Sequence, residues 1–162
     1  MAKTVFYSFH YEQDVHRVQL VRNVNALEAQ PLLNSQDWEQ VRRRGDAAIK
    51  KWIHEQMAYK KAVIVLIGKH TASRPWVMHE IKKAWAEKKP LLGIRIHGLS
   101  ALGSVDSAGS DPFSMAIGAG VVPVFDPTTQ DWSGKTDSKA TYNKLRDNLE
   151  SWSGQGVIRR SW

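Results

Sequence analysis

The chain has 162 residues, 42% of them apolar and 24% charged, with a formal net charge of +7 and no cysteine. That length and balance predict one folded domain over residues 1–162 rather than a disordered, membrane or two-domain chain. The missing cysteines exclude disulfides, thiolate-bound zinc, iron–sulfur clusters and thiol nucleophiles, which leaves any chemistry to oxygen and nitrogen groups.

Residues 4–9, with Val5, Phe6, Tyr7 and Phe9, are rich in β-branched and aromatic side chains and predict a buried central strand. Val15, Val18, Val21 and Val24 recur at every third position and suit a helix over 12–27; Val18, Leu20, Val24 and Ala26 would also suit a strand, but a crossover is needed here and favours the helix. Residues 31–35 read as a short extended piece ending in capping residues, with Ser35 or Asp37 able to accept from the first turn of the next helix. That helix is predicted over 38–57, with Ile49, Trp52, Ile53 and Met57 as its packed stripe. The apolar run 62–67 predicts a strand covered on both faces and ended by Gly68. Thr71, Ser73 and Pro75 then mark the start of a helix over 75–88, and a strand follows over 91–96. Residues 97–120 are dominated by Gly, Ser, Ala and Asp and read as a long flexible loop, either a lid or partner contact or a tolerated insertion. Pro123 makes 121–125 an edge strand, and Leu145, Leu149 and Trp152 predict a closing helix over 137–152.

This alternation implies an α/β fold: a mostly parallel, five-stranded, flavodoxin-like doubly wound sheet with helices on both faces. Ligands of such sheets bind beyond the carboxyl ends of the strands, which here are Ser8, Phe9 and His10, residues 68–75, and His97 onward. Neither Gly-x-Gly-x-x-Gly nor Gly-x-x-x-x-Gly-Lys-Ser/Thr occurs, so a dinucleotide would bind as substrate and no resident cofactor is expected. His79-Glu80 lacks a second histidine at ligand spacing, so no metal is expected either. No run approaches the roughly 20 apolar residues of a membrane span, and residues 1–5 lack a secretory apolar core, so the expected location is the cytoplasm. Arg42-Arg43-Arg44 with Lys50-Lys51 is either a solvated face or a phosphate contact, and nucleic acid is not the expected partner.

Residues 76–85 are the most informative stretch. On a helix, Val77, Ile81, Ala84 and Trp85 form the core arc, while Trp76 and Glu80 stand one turn apart at its margin. Glu80 is then either a desolvated acid aimed at a cavity or a solvated glutamate paired with Lys83. Phe6, Phe9 and Trp76 are candidates for an aromatic wall, Phe6 fitting core packing equally well. Ser8 suits either a site or a strand end, His10 a phosphate or solvent, and Asp37 a ribose or a helix cap.

Val5-Phe6-Tyr7-Ser8-Phe9-His10-Tyr11, Asp37-Trp38-Glu39, Val65-Leu66-Ile67-Gly68 and Arg74-Pro75-Trp76-Val77-Met78-His79-Glu80-Ile81 together resemble the TIR-like family of the Thoeris anti-phage system, its signal-generating subunit. Gly93-Ile94-Arg95-Ile96-His97 and Asp111-Pro112-Phe113 fit the same family, so the similarity runs over about residues 3–125. Trp76-x-x-x-Glu80 after a Ser/Thr loop is also the general TIR signature. The resemblance implies an enzyme that consumes NAD as substrate, releases nicotinamide and makes a cyclised ADP-ribose messenger for a separate effector protein. It implies Glu80 as the catalytic residue, Phe6 and Ser8 near the pocket, and roles there for Asp37 and Trp76. Self-association or a phage-derived trigger would switch it on. The alternatives are a non-enzymatic interaction module and a nucleotide-binding sensor subunit.

Overall fold

Strands β1 (Lys3–Ser8), β2 (Leu27–Ala29), β3 (Ala62–Ile67), β4 (Leu91–Arg95) and β5 (Val124–Phe125) form one sheet in the order β2-β1-β3-β4-β5, with every pairing parallel. This is the flavodoxin-like order, with its switch point between β1 and β3. The computed structural model describes residues 3–33 and 35–160. All six side chains of β3 are buried, the condition under which an unbroken apolar strand is stable in water.

Helices α1 (Tyr11–Asn23) and α6 (Ser138–Ser153) cover one face, and α3 (Asp46–Met57), α4 (Pro75–Ala86) and α5 (Pro112–Ala116) cover the other. On the first face Val18, Val21, Leu145 and Leu149 pack with Val5, Tyr7, Ile64 and Leu92. On the second, Ile49, Ile53, Val77, Ile81 and Phe113 pack with Phe6, Val63, Val65 and Ile67. The two sets alternate along β1 and β3, as side chains of successive strand residues must. Helix α2 (Ser35–Arg43) differs: none of its described side chains is buried.

Several expected boundaries move. The first helix stops at Asn23, and the second strand is Leu27–Ala29 rather than 31–35, with Asn25 (φ 59°) turning the chain between them. The helix expected over 38–57 is two helices, broken at Gly45, whose φ of 91° is open to glycine and costly for other residues. Asn34 and the Ser35 side chain lie outside the described residues, and Asp37 is exposed in the first turn of α2. The expected edge strand shortens to two residues, while Asp137 caps α6 by accepting from Ala140 N at 3.0 Å.

The stretch 97–120, read as a flexible loop, is tied down instead. Arg17 reaches across from α1 to donate to Leu99 O at 2.8 Å and Ser104 O at 3.0 Å, and Arg95 donates to Gly109 O at 2.7 Å. Asp111 caps α5, whose Phe113 is buried in the second core. Gly109 lies so close to the turn after β3 that a Cβ there would meet Gly68 O at 2.3 Å and Lys69 O at 2.6 Å. Both are backbone atoms, which no side-chain rotation can clear. Gly109→Ala is therefore expected to cost about 2 kcal/mol or more and to lower the melting temperature, which calorimetry would register.

Candidate active site

The turn after β3 sets the direction of α4. Thr71 Oγ1 accepts from Gly68 N at 2.7 Å, a 3-10 turn follows over Thr71–Ser73, and Pro75 opens α4 after an extended Arg74. Pro75 fits there because the first helical N–H has no intrahelical partner to lose. Val77, Ile81 and Ala84 anchor the helix in the core, which turns Trp76 and Glu80 toward the end of β1. Both side chains line a cavity of about 60 Å³. Phe9 joins them there.

Glu80 is only 7% exposed, and its Oε1 accepts from the fully buried Ser8 Oγ at 2.9 Å. Burial raises the Glu80 carboxyl pKa to about 8 against the opposing pull of the Ser8 hydrogen bond. Among the described residues no cation pairs with it. Lys83, the partner expected of a solvated glutamate, pairs instead with Glu87 and lies 3.2 Å from His54 Nδ1. Glu80 is thus an acid held neutral around pH 7 by its surroundings and ready to ionise when a positive charge arrives.

The other expected site residues are distributed as follows. Phe6 is packed in the core between the sheet and helices α3 and α4 and does not line the cavity. His10 precedes α1 outside the lining, with Nε2 3.4 Å from Glu12 Oε2, and burial together with the charge of Arg74 lowers its pKa. Asp37 also lies outside the lining, although its neighbour Trp38 is part of it. His97, two residues beyond β4, is outside the cavity lining, and its Nε2 lies 3.2 Å from Thr128 Oγ1.

Periodicity missed a second group. Tyr11, Trp38 and Trp52 line the same cavity, Tyr11 and Trp38 stacked with centroids 5.3 Å apart and Trp52 edge-on to Trp38 at 6.4 Å. They come from three different helices, so no single-helix pattern connects them. Gln30 was missed too. Its amide accepts from Tyr7 N at 3.0 Å and donates to Tyr7 O at 2.8 Å, so a side chain extends the β1–β2 ladder into the cavity wall. Arg22 fixes this corner by donating to Gln30 O at 2.7 Å.

One acid among flat aromatic surfaces suits a ligand with ring systems and a centre that becomes positive. Among the described residues there is no group of three or more side chains able to hold a metal ion, and no helix long and apolar enough to cross a membrane.

Residues 6–101 match the family described as Thoeris protein ThsB, TIR-like domain. The chain is also 35% identical over 119 residues to a protein of Bacillus cereus (strain MSX-D12) that carries the provisional name cyclic ADP-D-ribose synthase ThsB1. That alignment covers 70% of this chain and 62% of the relative, so the chain spans less than two thirds of the relative's length. The family match takes in Ser8, Trp38, Trp76 and Glu80, the residues that meet at or beside the cavity. With the sheet order in accord and the match covering more than half of the chain, the chain belongs to the TIR-like domain family of the Thoeris protein ThsB.

Proposed function

We propose that this protein cleaves the bond between nicotinamide and ribose in NAD and closes the remaining ADP-ribose into a cyclic nucleotide. The product would signal to a separate effector protein in anti-phage defence. NAD is the substrate, no resident cofactor takes part, and the reaction runs in the cytoplasm. The observation that carries the reading is the buried Ser8–Glu80 pair facing an aromatic-lined cavity beside the switch point of the sheet. Membership of the family and the provisional name of the B. cereus relative support it.

The chemistry follows from the site. When the C1′–N bond breaks, its electron pair moves to the pyridinium nitrogen and nicotinamide leaves neutral. The ribose then carries an oxocarbenium-like charge, which the Glu80 carboxylate stabilises. The cationic substrate ring itself favours the ionised form of an acid whose pKa burial has raised to about 8. Ser8 holds one carboxylate oxygen, which orients the group before the reaction. A bound dinucleotide that fills the cleft limits competing water and leaves the field to a nucleophile within the same molecule.

The test is incubation with NAD, alone and with extract of phage-infected cells to supply a trigger, followed by chromatography and mass measurement. Equal amounts of nicotinamide and a cyclic ADP-ribose isomer are expected. Absence of nicotinamide under both conditions would refute the assignment. The interaction-module reading has one observation of its own: Trp132 (99% exposed) and Leu102 (87% exposed) stand at the tips of two tight turns.

A further inference from the structure

We infer that Tyr11 and Trp38 form the subsite for the purine base of the dinucleotide, an assignment that rests on the NAD reading above. The aromatic groups of the cavity fall into two sets. Trp76 stands one helical turn before Glu80, and its ring neighbour is His79, edge-on with centroids 5.6 Å apart. The second set runs from Phe9 through Tyr11 and Trp38 to Trp52, each ring in contact with the next. A dinucleotide carries two flat bases. The one whose bond breaks must lie by Glu80, and therefore by Trp76. The other is left with the second set.

Trp38 Nε1 donates to Glu12 Oε1 at 3.4 Å, and Arg42 engages the same carboxylate at 3.2 Å, which fixes the edge of the indole and leaves its faces to stacking. Stacking on an indole face tolerates any purine edge, so no dedicated hydrogen-bond donor is needed.

Space adds a requirement. Tyr11 and Trp38 stack directly on one another with centroids 5.3 Å apart, which leaves no room for a third ring between them. Trp38 belongs to α2, which has no buried side chain among its described residues and is followed by Gly45 at φ 91°. The purine is therefore admitted as Trp38 parts from Tyr11. Once stacked, it is held near the ribosyl carbon from which nicotinamide has left with the bonding pair. A ring nitrogen or hydroxyl of the adenosine half then supplies the pair for the new bond to C1′, giving the cyclic product. Attack by water gives linear ADP-ribose instead, and either route releases one proton.

The experiment uses the full chain with Glu80→Gln, so that ligand is not consumed, and compares ADP-ribose with nicotinamide mononucleotide, which lacks the purine. Adding Trp38→Ala is expected to weaken ADP-ribose about tenfold or more and to leave nicotinamide mononucleotide within about threefold. Trp38→Phe, which keeps an aromatic face, restores most of the loss. With Glu80 intact, Trp38→Ala lowers the ratio of cyclic to linear product and Trp38→Phe recovers it. Equal ADP-ribose binding with and without Trp38→Ala, or equal weakening of both probes, would overturn the subsite. If the parent releases nicotinamide while the product ratio ignores Trp38, the subsite falls and the NAD reading stands. If the parent releases none even with infected-cell extract, both fall.

Discussion

Glu80→Gln is expected to reduce nicotinamide release by about 100-fold or more and, above neutral pH, to make the protein more stable than its parent. Both effects come from the same burial. The folded state holds the Glu80 carboxyl at a pKa of about 8, against 4.5 for an unperturbed glutamate. Between those values the folded chain keeps a proton that the unfolded chain has released. Stability therefore falls as pH rises through that window, by roughly 3–6 kcal/mol over its full width. Glutamine has the same shape, accepts from Ser8 Oγ and never ionises, so it avoids that penalty. Thermal melts should show a gain for the variant at pH 8.5 that shrinks toward zero near pH 5. For the parent, kcat/KM should rise with pH up to about 8, since the free enzyme must lose that proton to act as a carboxylate. Identical melting of parent and variant at every pH would mean that the acid is not buried.

The second large effect is expected at Arg17, which joins α1 to the loop after β4. Its guanidinium lies 3.3 Å from Asp14 Oδ1 and 3.1 Å from Asp106 Oδ2, besides donating to the two loop carbonyls. Asp14 is fully buried. Its pKa is raised to about 6 because burial outweighs the lowering by Arg17, and Asp106 adds to the rise. Arg17→Ala would leave that acid buried without its cation and two carbonyls without donors, a change worth about 3–5 kcal/mol. A raised carboxyl pKa stabilises the fold at low pH and ceases to do so as pH climbs through it. Without Arg17 that loss extends to higher pH. The deficit of the variant should accordingly be smaller at pH 5 than at pH 8, as denaturant titrations at the two values would reveal. A deficit of equal size at both would mean that the guanidinium acts through packing alone.

Much of the framework was legible before any coordinates. The run 62–67 has no polar break, and a strand of that kind is stable only between two layers, which is where β3 lies. Pro75 and the helical period put Trp76 and Glu80 on one edge of α4, and the cavity receives both. Other features resisted the same treatment. Gly45 interrupts a stripe that otherwise continues, because a 3.6-residue pattern registers side chains and not the backbone angle at one glycine. Phe6 and Phe9 looked alike as aromatic candidates. The strand ends at Ser8, so its alternation puts Phe6 in the core and has no hold on Phe9, which reaches the cavity.

What the order of residues determined by itself is local and periodic: which segments are strands or helices, which faces are apolar, that the sheet is parallel, and which acid sits at a helix margin. The cavity wall of Tyr11, Trp38 and Trp52, the Gln30 amide standing in for a strand residue, and the proton retained by Glu80 were decided only by the folded arrangement. The reason is distance along the chain. Stacking, a long-range hydrogen bond and desolvation each depend on groups brought together by the crossovers of the sheet, and no spacing in the sequence encodes that meeting.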